Sequence, residues 1–326
     1  MAENMDRNLA LEAVRVTEAA ALAASRWMGR GDEKAADQAA VDAMRNALTS
    51  LSIDGKEVSG EGERDEAPML YVGETVGLGN GPKIDIAREP LEGTTITAKG
   101  MQNALAVVAM AEEGGFLFAP DTYMDKIAVG GGLPEGVVDL DAPVEDNLKE
   151  LAKAKKSEIA DLVVCILDRP RHSDLIAKCR SSVARILLIS DGDVSGVIAT
   201  SRADSGVDMY MGSGGAPEGV LAAAALRCIG GQLQGRLIFR NEDEKARAQR
   251  CGITDFNRKY GLQDQAGGDV MFAATGVTDG SLLRGVRRGG DKGYTHSIIM
   301  RSKSGTVRMV EAHHNFERKT GFLPVD

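Results

Sequence analysis

Between residues 144 and 230 the chain switches repeatedly between two periodicities, and this switching restricts the fold more than any other feature. The helical segment "VEDNLKELAKAKKS" gives way to the apolar run "LVVCILD". A second helical segment, "HSDLIAKCRS", leads into "RILLIS". The run "VDMYMG" then precedes the helix "PEGVLAAAALRCIG". Parallel neighbours need a crossover long enough to hold a helix, so strand and helix in alternation predict a βαβ layer with a mainly parallel sheet.

The chain before this stretch reads differently. In residues 6–29, Leu9, Ala13, Val16, Ala20, Ala23 and Trp27 recur in steps of four and three, the spacing of one helix face. Glu12, Arg15 and Glu18 fall off that face, Trp27 is expected in the core, and Gly29 and Gly31 end the helix. A second helix is predicted over 33–51, where Asp37, Ala40, Val41 and Met44 share a face. A carboxylate on such a face sits at the rim or has a partner. Short strands follow: "KEVSG" at 56–60, "KIDIA" at 83–87, "ALAVVAMA" at 104–111, then "FLFAP" and "YMDKIAVG" within 116–130. Strands bunched in this way predict an antiparallel sheet. Residues 241–267 read as a helix and surface loop, "DVMFAATGV" as a strand, and "THSIIMRS" with "GTVRMVEAHH" as a hairpin turning at Lys303, Ser304 and Gly305. The expected organisation is one unit spanning 1–326 with approximate halves 1–144 and 145–326 and a cleft between them. Hairpin 296–314 is assigned to neither half.

Composition excludes several roles. A net charge of −9 argues against nucleic acid or an anionic membrane as partner, since both demand basic surface. No apolar run approaches the roughly 18 residues of a membrane span. "MAENMDRNLALEAV" carries charges where a signal peptide is apolar, so a cytoplasmic protein is expected. The four cysteines show no metal-ligand spacing and are expected as reduced thiols.

Chemistry concentrates in loops that follow strands. "SGEGERDEAP", "REPLEGTT", "SDGD" and "MGSGGAPEG" each combine glycine with acidic residues. In open α/β sheets the loops beyond the strand ends meet at the ligand site. Glu61, Glu63, Glu89, Glu92, Asp191, Asp193 and Glu218 would repel one another there without a cation between them, and all-oxygen ligation suits Mg2+ or Mn2+. Any one of these acids, taken alone, reads first as a solvated loop residue or a helix cap. At Glu92 the functional reading is stronger. Gly93 lets backbone approach a ligand, and the Thr94 hydroxyl can orient a water beside a carboxylate.

The segments "GRGDEKAADQAAVDAMR", "GEGERDEAPMLYVGE", "EPLEGTTITAKG", "APDTYMDKIAVGG", "RPRH", "SDGD" and "GGAPEGV" together resemble, in order and spacing, the motifs of the class II fructose-1,6-bisphosphatases. These belong to the lithium-sensitive phosphatase superfamily. The resemblance implies an α/β fold layered α/β/α/β/α, with one largely antiparallel sheet and one mixed or parallel sheet. It implies hydrolysis of the 1-phosphate of fructose 1,6-bisphosphate with Mn2+ or Mg2+, and a homo-oligomer, dimer or tetramer. Metal carboxylates would fall on Asp37, Glu61, Glu89, Glu92 and Glu218, and the catalytic threonine on Thr94. Substrate contacts would fall on Glu92, Gly93, Thr94, Tyr123, Arg169, Pro170, Arg171, Asp191, Gly192, Asp193 and Gly215. Arg169 and Arg171, on an extended X-Pro segment, would clamp the second phosphate. His172 either joins that clamp or stands by, Tyr123 is otherwise a packed aromatic, and His296, His313 and His314 read as structural.

One position departs from the family pattern. Glu89 stands where aspartate is usual, preceded by Arg88 where a hydrophobic residue is usual; on a strand, Arg88 would point away from Glu89. Three readings stay open: a fructose-1,6-bisphosphatase, a related enzyme acting on sedoheptulose 1,7-bisphosphate or on both sugars, and a weakened sugar-phosphate-binding sensor.

Overall fold

The computed structural model describes residues 8–59 and 72–319. Helices α1 (Leu9–Ala24) and α2 (Glu33–Thr49) lead into β1 (Asp54–Ser59), β2 (Thr75–Val76) and β3 (Lys83–Glu92). The short α3 (Thr94–Lys99), β4 (Leu105–Glu112) and β5 (Tyr123–Gly130) come next. The alternating stretch is α4 (Val144–Lys155), β6 (Val163–Leu167), α5 (Ser173–Ser181), β7 (Arg185–Ile189), α6 (Asp193–Ala199), β8 (Met209–Gly215) and α7 (Ala216–Ile229). Then come β9 (Gly231–Ile238), α8 (Glu242–Arg250), β10 (Tyr260–Gly261), α9 (Leu262–Gln265), β11 (Val270–Gly276), β12 (Arg287–Gly289), β13 (Lys292–Arg301) and β14 (Thr306–Asn315).

The first sheet has the order β12-β13-β11-β4-β3-β1-β2, with β14 paired on β13. It is antiparallel except where β1 runs parallel to β3. The second has the order β10-β9-β5-β8-β6-β7. Only β6–β7 and β6–β8 are parallel there, so this sheet is mixed and not mainly parallel. The cause is β5, which enters the middle of the sheet antiparallel to both β8 and β9. β9 is a strand the sequence pattern does not announce. "GQLQGRLI" lacks an apolar run, and Gly235 is required because a Cβ there would meet Met124 Sδ at 2.5 Å. "FLFAP" forms no strand. Phe116 makes one isolated bridge to Ala266, and the Ala119 N–H turns to the Val58 carbonyl instead.

The chain does not complete one sheet before starting the other. β5, from before residue 145, sits at the centre of the second sheet, while β11 to β14, from after it, extend the first. A split near 145 therefore does not divide the sheets, and the terminal hairpin belongs to the first of them.

Three cores set the layers. α1 and α2 cover the outer face of the first sheet, packing Ala20, Ala40, Met44 and Leu48 against Ile84, Ile86, Val108 and Met110. α4 and α5 cover the outer face of the second, with Leu148, Leu151 and Cys179 against Ile127, Val164 and Met209. α6 and α7 lie between the two sheets. This is the expected α/β/α/β/α sandwich. A helix apolar on all sides belongs in such a middle layer. Ala222 to Ala225 are buried along α7, and their small side chains let both sheets approach. Gly219 continues this: a Cβ there would sit 2.6 Å from Met124 Sδ on β5. Replacing Ala223 by leucine would overpack this layer, at about 1–3 kcal/mol.

Two details of α1 differ from its periodicity. Glu18 is buried, not exposed, and accepts a hydrogen bond from Thr295 Oγ1 at 3.1 Å; burial raises its carboxyl above the usual range. Trp27 lies just beyond the helix, half-buried at the edge of the core, with the Arg30 guanidinium 5.7 Å from its ring.

Candidate active site

β3 delivers its last residue, Glu92, to the middle layer. Register slips between Glu89 and Glu92, where Pro90 has no N–H to give the ladder. Gly93 follows at φ 94°, a left-handed conformation that favours glycine, and α3 starts with Thr94 half-buried. Glu92 Oε1 accepts the Val194 N–H at 2.8 Å, which ties the first sheet to α6. Its Oε2 is buried and has no partner among the described residues. Burial first, and then the negative charges of Asp193, Asp191 and Glu218, hold the Glu92 carboxyl well above its ordinary range, while the Val194 bond acts against them. A buried acid with an unused oxygen, facing other acids, is a place for a cation or a proton.

The turn into α6, α6 itself and the first turn of α7 supply those other acids. Gly192 adopts φ 85° and turns the chain into α6. Asp191 is half-buried, and its Oδ1 accepts the Gly192 N–H at 3.1 Å; burial raises its carboxyl, against the pull of Arg169. Asp193 is buried and already engaged. Lys126 Nζ donates to its Oδ2 at 2.5 Å and to the Gly215 carbonyl at 2.9 Å, and the Tyr210 hydroxyl lies 3.5 Å from the same Oδ2. Lys126 is 1% exposed, so this ion pair joins β5, α6 and β8 from inside. It is a site residue that the motifs do not reveal, although a lysine inside the apolar strand "YMDKIAVG" is a signal in itself. Glycine is needed beside both acids. A Cβ on Gly214 would fall 2.1 Å from Asp193 Oδ2, and one on Gly215 1.9 Å from Glu218 Oε2.

The remaining acids are more dispersed. Glu89 is half-buried, and its Oε1 accepts the Leu91 N–H at 3.3 Å. Arg88 does point away from Glu89. It is buried, with Nε 3.2 Å from Glu57 Oε1, and burial lifts the Glu57 carboxyl to about 7 against that positive neighbour. Asp37 on α2 is half-buried; burial raises its carboxyl and the Arg88 charge opposes this. Glu61 and Glu63 lie outside the described residues. Among the described residues, no three His, Cys, Asp or Glu side chains form a group that could hold a metal ion. The donor chemistry nonetheless fits a hard divalent cation, because the candidates all offer oxygen and Glu92 Oε2 is an unused buried acceptor.

The two arginines of "RPRH" diverge. Arg169 is extended, but Pro170–His172 forms a 3-10 turn. The charge of Arg169 is felt at Asp191, whereas Arg171 reaches β8 and donates from Nε and Nη2 to the Ser213 carbonyl at 3.2 and 2.7 Å and from Nε to Ser213 Oγ at 3.0 Å. Its guanidinium carbon lies 4.9 Å from the Tyr123 ring centre. His172 does not face a ligand. It is buried, its Nε2 accepts the Ser213 N–H at 2.9 Å, and its Nδ1, left with the proton, donates to the Leu167 carbonyl at 2.7 Å. Burial lowers its pKa, which keeps the ring neutral. Its part is to fix Ser213, on which Arg171 rests. His296 accepts the Arg284 N–H through Nδ1, and His314 is buried in the terminal hairpin, as structural histidines would be. The cysteines are all free thiols.

Comparison with known proteins points one way. The sequence model of the bacterial, glpX-encoded fructose-1,6-bisphosphatases matches residues 7–314. Fructose-1,6-bisphosphatase 1 class 2 of Escherichia coli (strain K12) is 46% identical over 329 residues, covering 97% of each chain. The class 2 fructose-1,6-bisphosphatases of Escherichia coli O6:H1 and Shigella flexneri match with the same identity and coverage.

Proposed function

The chain belongs to the family of bacterial, glpX-encoded fructose-1,6-bisphosphatases, and we propose that it removes the 1-phosphate of fructose 1,6-bisphosphate where β3, α6 and β8 meet. It is a phosphoric monoester hydrolase, and its products are fructose 6-phosphate and phosphate, as suits an enzyme of gluconeogenesis. The observation that carries the location is Glu92, buried beside Thr94 with one oxygen fixed by Val194 and the other unpartnered among the described residues.

The family is metal-dependent, and the all-oxygen donor set favours Mn2+ or Mg2+. Glu92 and Glu218, with Glu89, Asp37 and Glu61, are the residues that would hold it. When bound, the metal neutralises phosphate oxygens and makes a nucleophile available at neutral pH. The chain's own groups do the rest. Thr94 positions the attacking water with Glu92 behind it, and Gly93 leaves room for the phosphate to approach backbone. The water oxygen attaches to phosphorus, the bond from phosphorus to the C1 oxygen breaks, and that oxygen takes up a proton. Lys126 holds Asp193 and Gly215 so that the acids on α6 and α7 keep their places. Asp191 is the better placed of the two α6-loop aspartates to accept from sugar hydroxyls, Asp193 being buried and paired. Tyr123 and Arg171 take the phosphate that is not cleaved.

No described helix is long and apolar enough to cross a membrane. A cytoplasmic homo-oligomer is the setting proposed for this activity. Phosphate release with Mn2+ or Mg2+, measured against fructose 1,6-bisphosphate and sedoheptulose 1,7-bisphosphate, tests the assignment. Release from the first, at a rate equal to or above that from the second, is expected. Binding of fructose 1,6-bisphosphate without release would replace an enzyme by a sensor.

A further inference from the structure

Tyr123 has a second guanidinium beside it. The strand that carries it, β5, pairs on one side with β8, where Tyr123 stands opposite Gly215, and on the other with β9, where it stands opposite Ile238. Arg171 rests on Ser213 of β8. Arg240 follows the end of β9, and its guanidinium carbon also lies 4.9 Å from the Tyr123 ring centre. The ring therefore has two cations near it, Arg171 from the turn after β6, resting on β8, and Arg240 from just past β9, each at the spacing of a cation–π contact.

The two arginines are held alike. Arg171 spends Nε and Nη2 on Ser213. Arg240 spends Nε on Glu244 Oε1 at 2.6 Å and Nη2 on the same oxygen at 2.5 Å, and its backbone N–H donates to Oε2 at 2.7 Å. In each case the Nε–Nη2 edge is fixed to protein, and Nη1 donates no hydrogen bond among the described residues. The Glu244 side chain is 1% exposed, whereas that of Arg240 is 58% exposed. The Thr122 hydroxyl, whose proton goes to the Ile238 carbonyl at 2.6 Å, also lies 3.3 Å from Glu244 Oε2, so the acid that orients Arg240 sits against the residue before Tyr123. A buried carboxylate bonded this thoroughly would be an extravagant way to place a solvated surface arginine. It is an economical way to aim one. The two arginines differ in charge compensation: Arg171 has only a carbonyl and a hydroxyl as partners, so its charge is not neutralised there, while Asp121 and Glu244 stand on the Arg240 side.

We propose that Arg240 is the second arm of the clamp for the retained phosphate, so that Arg171 and Arg240 hold one phosphate dianion between their Nη1 groups beside Tyr123. Two guanidiniums aimed at one dianion give charge-assisted hydrogen bonds from both sides and select substrates that carry a second phosphate. The proposal rests on the assignment of Tyr123 and Arg171 to that phosphate.

The experiment uses the full chain with Arg240→Ala, Arg240→Lys and Arg171→Ala. Steady-state kinetics on fructose 1,6-bisphosphate are paired with calorimetric titration of fructose 6-phosphate, which carries only the retained phosphate, and of fructose 1-phosphate, which lacks it. Arg240→Ala is expected to raise KM about tenfold with kcat nearly unchanged, the pattern of lost uniform binding. It should weaken fructose 6-phosphate by a similar factor and leave fructose 1-phosphate unaffected. Arg240→Lys keeps the charge without the fork and should fall between; it also serves if the alanine variant fails to fold. Equal weakening of both monophosphates, or no change in either, overturns the proposal. If Arg171→Ala weakens fructose 6-phosphate and the Arg240 variants do not, the clamp stands without Arg240. If none of the three does, the clamp assignment falls with it.

Discussion

On the mechanism proposed above, Glu92, Thr94 and Glu218 would carry separate duties, and substitutions should separate them. Thr94→Ala would remove the group proposed to hold the attacking water, so kcat should fall by about 10²-fold or more while metal and product affinities hold, the range expected when a positioned proton-handling group is lost. Glu218→Ala removes a carboxylate that lies over Gly215, and metal affinity should fall with it. Calorimetric metal titrations that came out identical for the two variants would undo this division. Glu89 allows a sharper test. Its Oε1 already accepts the Leu91 N–H two residues on, a bond that aspartate makes readily as an Asx-turn. Glu89→Asp should therefore fit the backbone, shorten the reach toward a cation and raise activity at limiting metal, more for Mg2+ than for Mn2+, because Mg2+ tolerates less distortion. An unchanged metal-dependence curve would remove Glu89 from the ligand set. Much of this site is legible in the sequence because its residues sit in short, glycine-marked loops. Lys126 and Arg240 are not legible in that way. Their partners Asp193 and Tyr123 are far away in the chain, and no local spacing encodes the contact.

At the level of elements, β9 shows where periodicity fails. Its outward positions hold Gln232, Gln234 and Arg236, which bond across to the loop before α4, and Gly235 is set by a close approach, so the run looks polar although it is a central strand. β8 was legible as an apolar run, but not its glycine end, where Gly214 makes room for the Asp193 carboxylate. Gly214→Ala would drive a Cβ into that oxygen and toward Lys126 Nζ, 3.1 Å away. Separating a buried ion pair costs about 3–5 kcal/mol. Urea unfolding should register a loss of that order, and activity should fall because the β8–α7 turn shifts; wild-type stability in this variant would mean the pair relaxes without cost. The terminal hairpin has its own pH signature. His314 on β14 is buried, with Lys319 Nζ 2.7 Å from its Nδ1 and Thr295 Oγ1 2.8 Å from its Nε2. Burial, with the Lys319 charge next, lowers its pKa to about 4. In the unfolded chain the same ring titrates near its ordinary 6.5. Between those values the unfolded state binds the extra proton, so stability present above about 6.5 is lost as pH falls toward 4, by roughly 3 kcal/mol. Unfolding midpoints at pH 7.5 and 5 should separate in the wild type and draw together in His314→Gln. An equal separation in both would assign the acid sensitivity elsewhere.

Over the whole molecule, the layers were foreseeable and the exchange between them was not. Alternating strands and helices after residue 144 imply helices against a sheet, and the polar and apolar faces of α1 and α2 imply a cover on another. Nothing local says that β4 will pair with β11, or that β5 will leave its neighbours in sequence to lie between β8 and β9. Those choices are settled by the core that α6 and α7 share with both sheets. They have a consequence for unfolding. Neither sheet can be completed from a continuous half of the chain, and α7 loses the apolar cover on one of its sides if either sheet departs. The outer layers should therefore be lost together, although chains of this length often unfold through intermediates. Trp27 reports the layer of α1 and α2, being packed at the edge of their core. Cys179 on α5 is buried against the second sheet, with its thiol pushed up to about 11, so it reacts only when that layer opens. Trp27 fluorescence and thiol labelling of Cys179, read by mass spectrometry across a urea series, should share one midpoint. Labelling of Cys179 at clearly lower urea than the fluorescence change would mean that the second sheet and its outer helices form a separable unit, and that the shared middle layer does not bind the two into one cooperative structure.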